Sequence, residues 1–511
     1  MLRAIFGFFV GLFRRSSNLR NTEQQLNNID VQNETNKNVV EYRNNAIEAF
    51  VPNGTENIVV SGSNESLRNR VNCASAWRCH EVGRAAVILH CSNYQLSELI
   101  DETFSGERGF HNLNSRNPYY DPFVGLNRSE ISQMILSSSG SNYKIERIGN
   151  SYIYGLIDYL QLIGRPICVE TFNNCLRDRS YEQIMEQAER GNISEFIARR
   201  INSELAQGKL EAGNIEQYFT VLKQQTGNTL ADESSVSNAI SIKKALRQNE
   251  IIAFDIGDAS NSLLLNLVIQ EIRDAISAGL RFTLIIDSIP VDSSESLGQL
   301  MRNFSGMCSF VYSSPDAYTS AQSTANIFDT ILGRANTVFV LQHSSTSSGR
   351  FSQFLGQYQK IEVNHTFTSG DTYATFGQIL PGSSSANIYG TQLVNRARVE
   401  ENEISSQSPE HVYIKRSGTN EIISVRCTGG SAKTHYETPQ INISRRPRAT
   451  RRRMSWIVFI LLFVFCCPAA FIYSFVKSGR IGKIVSAIFF FLVLALYICQ
   501  IVLIVNGRTV S

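Results

Sequence analysis

The chain has 511 residues, enough for two or three domains and a sizeable core. Its formal net charge of +3 is too small to point to a nucleic-acid partner by itself, so DNA remains unsupported by charge. What carries information is where the basic residues fall.

Residues Ala4–Phe13 form an apolar run between Arg3 and Arg14. It is too short to cross a bilayer, and no small-residue cleavage site follows it, so the pattern predicts an interfacial anchor rather than a signal peptide. From Ser16 to about Asn53 the chain is rich in Asn, Gln and Glu, which reads as a polar linker or a loosely packed helix and closes a first segment, 1–53. Short β-prone apolar runs follow: NIVV (57–60), AAVIL (85–89), IIAFDI (251–256), FTLIID (282–287), SFVY (309–312) and TVFVL (337–341). They are nearly continuous rather than alternating, as expected of parallel strands buried on both faces. Leu263, Leu264, Leu267, Val268 and Ile272 recur at helical spacing between two of these runs, which is a βαβ pattern.

The stretch 128–248 lacks convincing strands and is predicted as an all-α insertion, dividing an α/β domain into 54–127 and 249–365. Residues 366–444 are rich in Ser, Gly and Thr, with the β-prone stretches HVYIKR and EIISVRC, and are expected to be a small appendage followed by a linker. Next comes a basic segment, 445–454, holding Arg445, Arg446, Arg448, Arg451, Arg452 and Arg453. Two apolar runs, Ser455–Val476 and Ile484–Val505, each have about the ~20 residues that span a bilayer, and they predict a two-helix transmembrane hairpin. Pro468 inside the first run suits a kink. The arginines outnumber the charges in the intervening loop, so the large N-terminal part and the C-terminal tail are expected in the cytoplasm. Attraction to anionic lipid and a DNA-contacting arm are both readings of this cluster. The ten cysteines are scattered, and Cys73, Cys79, His80 and Cys91 fit no paired zinc-ligand spacing, so reduced thiols are expected.

One stretch bears on chemistry. VVSGSNESLRNRV (59–71) follows a buried run and starts like a phosphate-binding loop, G-x-x-x-x-G-K-[ST], at Gly62. Such a loop wraps phosphates in backbone N–H groups, sends a lysine to the terminal phosphates and offers Mg²⁺ a hydroxyl. Here Leu67 replaces the second glycine, Arg68 the lysine and Asn69 the hydroxyl. A branched side chain obstructs close backbone approach, and arginine does not thread a tight loop as lysine does. FTLIID ends in Asp287, where NTPases place a Mg²⁺-coordinating acid, but the next residue is Ser288.

The order of these parts resembles the type IV coupling proteins, membrane-anchored DNA-translocating ATPases of conjugation and type IV secretion within the FtsK/HerA-like group. The resemblance covers roughly 55–410 and rests on the loop at 61–69, AAVILH, NSRNPYYDPF, the helical segment 128–248, IIAFDIGDASNSLLLNLVIQEI, FTLIIDSI and ANIFDTILGRANTVFVLQHSSTSSGRFSQFLGQYQKIEV. It implies a RecA-like, mostly parallel sheet interrupted by the all-α insertion. It also implies a nucleotide site, of which Gly62, Arg68, Asn69 and Asp287 would be vestiges. The family's glutamate after the acid is Ser288, and its glutamine after the next strand falls near Ser313. The family usually carries its membrane pair before the ATPase domain, whereas here the apolar runs come after it.

Three functional readings stand at this point. One is a pseudo-ATPase with no catalytic residues, no metal and no required cofactor, acting as a scaffold or receptor for protein partners at a lipid membrane. Another is a divergent ATPase that holds ATP and Mg²⁺ with Arg68 and an acid such as Asp255, Asp258 or Glu295. The third is an unrelated membrane-tethered binding protein. His343 and His365 have no partner visible in the sequence. The family implies a homo-hexamer, but a chain without ATP chemistry has less reason to form a ring.

Overall fold

The computed structural model describes residues 26–434 apart from 118, 141–143, 228, 259, 304–307, 322–326 and 373–381, with backbone alone at 292, 345, 364–372 and 382–390. The N-terminal apolar run, the Arg445–Arg453 cluster and both predicted spans lie outside the described residues. Among the described residues no helix is long and apolar enough to cross a membrane.

A helix over 26–37 (α1) leads into strand β1 (Val39–Ala46). Then come β2 (Ile58–Ser61), α2 (Glu65–Glu81), β3 (Ala85–His90), α3 (Tyr94–Thr103) and β4 (Phe110–Leu113). The expected insertion is α-helical: α4 (Arg128–Ser138), α5 (Gly149–Leu162), α6 (Val169–Asp178), α7 (Ile184–Glu189), α8 (Glu195–Gln207), α9 (Ala212–Thr226) and α10 (Ile242–Arg247). The α/β pattern resumes with β5 (Ile251–Asp255), α11 (Ser262–Ser277), β6 (Phe282–Asp287), α12 (Glu295–Arg302) and β7 (Cys308–Ser314). It continues through α13 (Ala317–Ser320), α14 (Ile327–Arg334), β8 (Thr337–Val340) and α15 (Ser345–Leu355). Strands β9 (Gln357–Thr372) and β10 (Gly382–Ala397), helix α16 (Glu401–Ser405), β11 (His411–Arg416) and β12 (Ile422–Thr428) complete the described chain.

The main sheet has the order β1-β12-β11-β8-β2-β7-β6-β3-β5-β4. Strands β2 to β8 all run parallel, including every strand within 251–341. This mixed α/β architecture with a large, mostly parallel sheet is consistent with a RecA-like fold. The continuity of the apolar runs has a direct cause, since both faces of the sheet are covered. Val87, Leu89, Leu284 and Ile286 pack into one core with the insertion helices and α11. Ala86, Ile88 and Ile285 face the opposite core, against α2 and α3.

Two expectations about domain limits need correction. HVYIKR and EIISVRC are not an appendage: they form β11 and β12, which extend the main sheet beyond β8 by antiparallel pairing. Val412, Ile414, Val425 and Cys427 bury one face of these strands in the same core as Val60 and Phe339. The second is β1, expected in a linker, which pairs in parallel with β12 at the sheet margin. A β-prone run does not say which open edge it will meet. Strands β9 and β10 instead form a separate two-stranded ribbon. At its base Asn33 of α1 grips Ile361, accepting from its N–H at 2.7 Å and donating to its carbonyl at 3.0 Å.

Candidate functional site

In an open parallel sheet, ligand chemistry belongs at the carboxyl ends of the strands, where the crossovers diverge. Here that position is the end of β2 and its neighbours, with β7 standing between the Gly62 strand and the Asp287 strand. Only Gly62, Ser63 and Asn64 separate β2 from α2. Helix α2 therefore begins at Glu65, and Leu67, Arg68 and Asn69 lie inside its first turns rather than in a loop.

This short connection is closed by its own hydrogen bonds. Gly62 has φ +139° and donates its N–H to the Ser314 carbonyl at 3.1 Å. A Cβ there would stand 2.5 Å from Cβ of Leu341, so glycine is required by both backbone and space. The Ser63 N–H donates to the Gln342 carbonyl at 3.0 Å. Asn64 caps the helix by accepting from the Leu67 N–H at 3.1 Å, while its amide donates to the Pro409 carbonyl at 2.7 Å. Of the N–H groups around this helix start, those of Gly62, Ser63 and Leu67 are thus already engaged.

Arg68 folds back on the same turn, Nη1 donating to the Gly62 carbonyl at 2.6 Å. It is 3% exposed. Burial pulls its pKa below the ordinary arginine value, while the nearby carboxylates of Asp287 and Glu65 pull the other way.

Asp287, at the end of β6, is fully buried. Asn72 Nδ2 donates to its Oδ1 at 2.9 Å, Ser313 Oγ donates to the same oxygen at 2.8 Å, and Asn93 Nδ2 donates to Oδ2 at 2.8 Å. Asn93 is itself fixed as the N-cap of α3, accepting from the Leu96 N–H at 2.9 Å. Asn69 completes the network through reciprocal amide contacts with Asn93 at 2.9 and 3.3 Å. The carboxylate that would face a metal ion is held by three neutral donors. Ser288 takes a left-handed backbone, φ +58°, and donates its N–H to the Ser313 carbonyl.

The structure thus gathers Gly62, Arg68, Asn69 and Asp287 into one neighbourhood, and adds Asn72, Asn93 and Ser313. The first two additions were missed in the sequence. Asn93 had a signal, an Asn directly before a helical pattern, whereas Asn72 is one polar residue among helix core positions. His90 was also missed. It pairs across the sheet with Asp287 on β6 and Asp255 on β5, is 1% exposed, and its ring nitrogens make no hydrogen bond among the described residues. Burial lowers its pKa, against the pull of both carboxylates.

The other acids have local partners. Asp255 accepts from the Ser92 and Gly257 N–H groups, Asp258 accepts from the Ser260 N–H, and Glu295 accepts from Gln299 Nε2. His343 stacks on Phe351 at 4.5 Å, and burial lowers its pKa to about 4. The side chain of His365 lies outside the described residues. Burial lifts the thiols of Cys73 and Cys91 to about 12 and that of Cys79 to about 11. They are free thiols, and no group of three His, Cys, Asp or Glu among the described residues is placed to hold a metal.

The chain is similar to several solved coupling proteins. Against the plasmid coupling protein TrwB in complex with a non-hydrolysable GTP analogue the TM-score is 0.48 at 13% identity, over 77% of this chain and 92% of that one. Against the unbound monoclinic form of the bacterial conjugative coupling protein TrwBdeltaN70 it is 0.47 at 15% identity, over 76% and 88%. VirB4 of Thermoanaerobacter pseudethanolicus gives 0.39 at 10% identity, over 73% and 89%. No protein-family model matches the chain. No curated protein matches it in sequence.

Proposed function

We propose that this protein is a membrane-anchored pseudo-ATPase related to the type IV coupling proteins, serving as a non-catalytic scaffold or receptor in a conjugation or type IV secretion-like apparatus. The observation that carries the inactive reading is the internal closure of the site. Asp287 already accepts from Asn72, Asn93 and Ser313, and the Gly62 and Ser63 N–H groups are bonded to chain carbonyls. Recruiting Mg²⁺ to Asp287 would strip acceptors from two buried amides and a hydroxyl, each worth about 1–3 kcal/mol when left unsatisfied. Accommodating a triphosphate would further require unwinding the start of α2 and displacing Arg68.

Relation to the coupling proteins is supported by the chain order of the parts: a strand ending at Gly62, a helical insertion, and a buried strand ending in Asp287 within an all-parallel run. Membrane attachment is supported by the apolar runs Ser455–Val476 and Ile484–Val505 behind an arginine cluster. Such an anchor leaves the α/β body and its helical insertion in the cytoplasm, available to protein partners.

The test uses the full chain in detergent. Phosphate release from ATP with Mg²⁺ is expected to stay at the protein-free rate, and calorimetry to show no binding tighter than about 1 mM. Steady hydrolysis that disappears in Asp287→Asn, with the variant's circular dichroism unchanged, would overturn the pseudo-ATPase reading and favour a divergent enzyme.

A further inference from the structure

The margin of the sheet at β4 is unlike the closed site. Phe110, His111, Asn112 and Leu113 all line one cavity of about 480 Å³. Successive side chains of a strand point to opposite faces. Here Phe110 packs with the core under α3, and Leu113 with the core under the insertion. A cavity that touches all four residues therefore runs along the edge of the strand rather than over either face.

That edge carries open hydrogen-bonding groups. Strand β4 ends the sheet and pairs only with β5. The Ile251 N–H donates to the Gly109 carbonyl at 2.8 Å. By the alternation of a parallel ladder, His111 and Leu113 turn their peptide groups toward β5, while Phe110 and Asn112 turn theirs outward. Outside the β4–β5 ladder, no hydrogen bond among the described residues uses the backbone N–H or carbonyl of Phe110 or Asn112. Donors and acceptors at this spacing, set beside a cavity within the ~300–1,000 Å³ range of ligand sites, suit an extended peptide main chain better than a compact small molecule.

Charge narrows the choice of peptide. Asp101 of α3 lines the cavity and accepts from Asn112 Nδ2 at 2.8 Å. Glu98, one helical turn before it, is exposed on the same helix, as is the adjacent Glu102. Tyr119, 45% exposed, offers an aromatic surface at the cavity wall.

We propose that the outer edge of β4 accepts an extended segment of a protein partner as an added strand, with basic side chains of that segment lying toward Asp101. This goes beyond the scaffold reading and does not depend on whether the site around Asp287 is inactive.

The probes are fluorescein-labelled Thr-Lys-Val-Lys-Val-Lys-Thr, its counterpart with Glu at each Lys position, and the Lys peptide N-methylated at alternate amides. Each is titrated by anisotropy against the full chain in detergent. The Lys peptide is expected to bind, the Glu peptide about tenfold or more weaker, and the N-methylated peptide to lose binding because it cannot complete the ladder. Asp101→Lys, at an exposed position, is expected to reverse the Lys-over-Glu preference. The proposal is overturned if the N-methylated peptide binds like its parent, if Asp101→Lys leaves the preference unchanged, or if no peptide binds at about 1 mM.

Discussion

The middle and one end of the parallel run treat their polar groups in opposite ways. Around β2, β7 and β6 the Gly62 and Ser63 N–H groups and the Asp287 carboxylate are bonded inside the protein by Ser314, Gln342, Asn72, Asn93 and Ser313. Along β4 the outward peptide groups of Phe110 and Asn112 make no hydrogen bond among the described residues, and both residues line a cavity beside an acidic helix. Buried polar groups bonded to one another stiffen a fold and have less left to offer a ligand, whereas an open edge keeps its binding capacity.

The largest way to break the contrast is to remove the centre of the closed network. Asp287→Ala leaves three buried donors without their acceptor, and is expected to destabilise the fold by about 3 kcal/mol or more, read as a lower urea midpoint. If stability were unchanged, the network around Asp287 would not be structural. Gly62→Ala comes next. Its methyl group would meet Leu341 at an unfavourable backbone angle, and about 2–3 kcal/mol of destabilisation is expected by the same measurement.

A third prediction concerns the seam between the insertion and the sheet, where two buried carboxyls sit. Glu271 of α11 accepts from Tyr120 Oη at 2.8 Å, and burial lifts its pKa to about 8. Asp121, which accepts from the Val169 and Phe123 N–H groups, is lifted by burial to about 7. A raised carboxyl pKa means that the folded state holds more protons than the unfolded chain. Stability should therefore fall as pH rises from the ordinary carboxylate range toward 8, and level off above it. Glu271→Gln should flatten this fall by up to about 1.4 kcal/mol per pH unit, measured by denaturation between pH 5 and pH 8. An unaltered slope would mean that Glu271 does not take up a proton on folding.

The smallest expected effect lies at the base of the ribbon. Asn33→Ala removes both side-chain contacts to the Ile361 backbone, and should cost about 1 kcal/mol locally. Faster amide exchange at Ile361 with little change in global stability is the expected signature. Equal exchange rates would show that α1 does not hold the ribbon.

Much of the fold is legible in the residues. The runs from NIVV to TVFVL become β2, β3, β5, β6, β7 and β8, because strands covered on both faces need continuous apolar sequence. The helical insertion shows in its polar-apolar helical patterns, and Asn64, Asn93 and Asn127 mark helix starts by their capping chemistry. The site was only half legible. Departures from a phosphate-binding loop at Leu67, Arg68 and Asn69 are visible as letters, but the three-residue length of the connection is not, because it depends on where α2 nucleates.

The sequence by itself determined the apolar strands, the insertion between them, and that Arg68 and Asn69 stand where a phosphate-binding loop has a lysine and a hydroxyl. These are local matters of periodicity and residue type. Tertiary structure alone decided that β11 and β12 join the main sheet, that Asn72 and Asn93 converge on Asp287, and that β4 ends the sheet with an open edge. Each depends on residues far apart in the chain meeting across a register, and hydrogen bonds of that kind leave no periodic trace in the sequence.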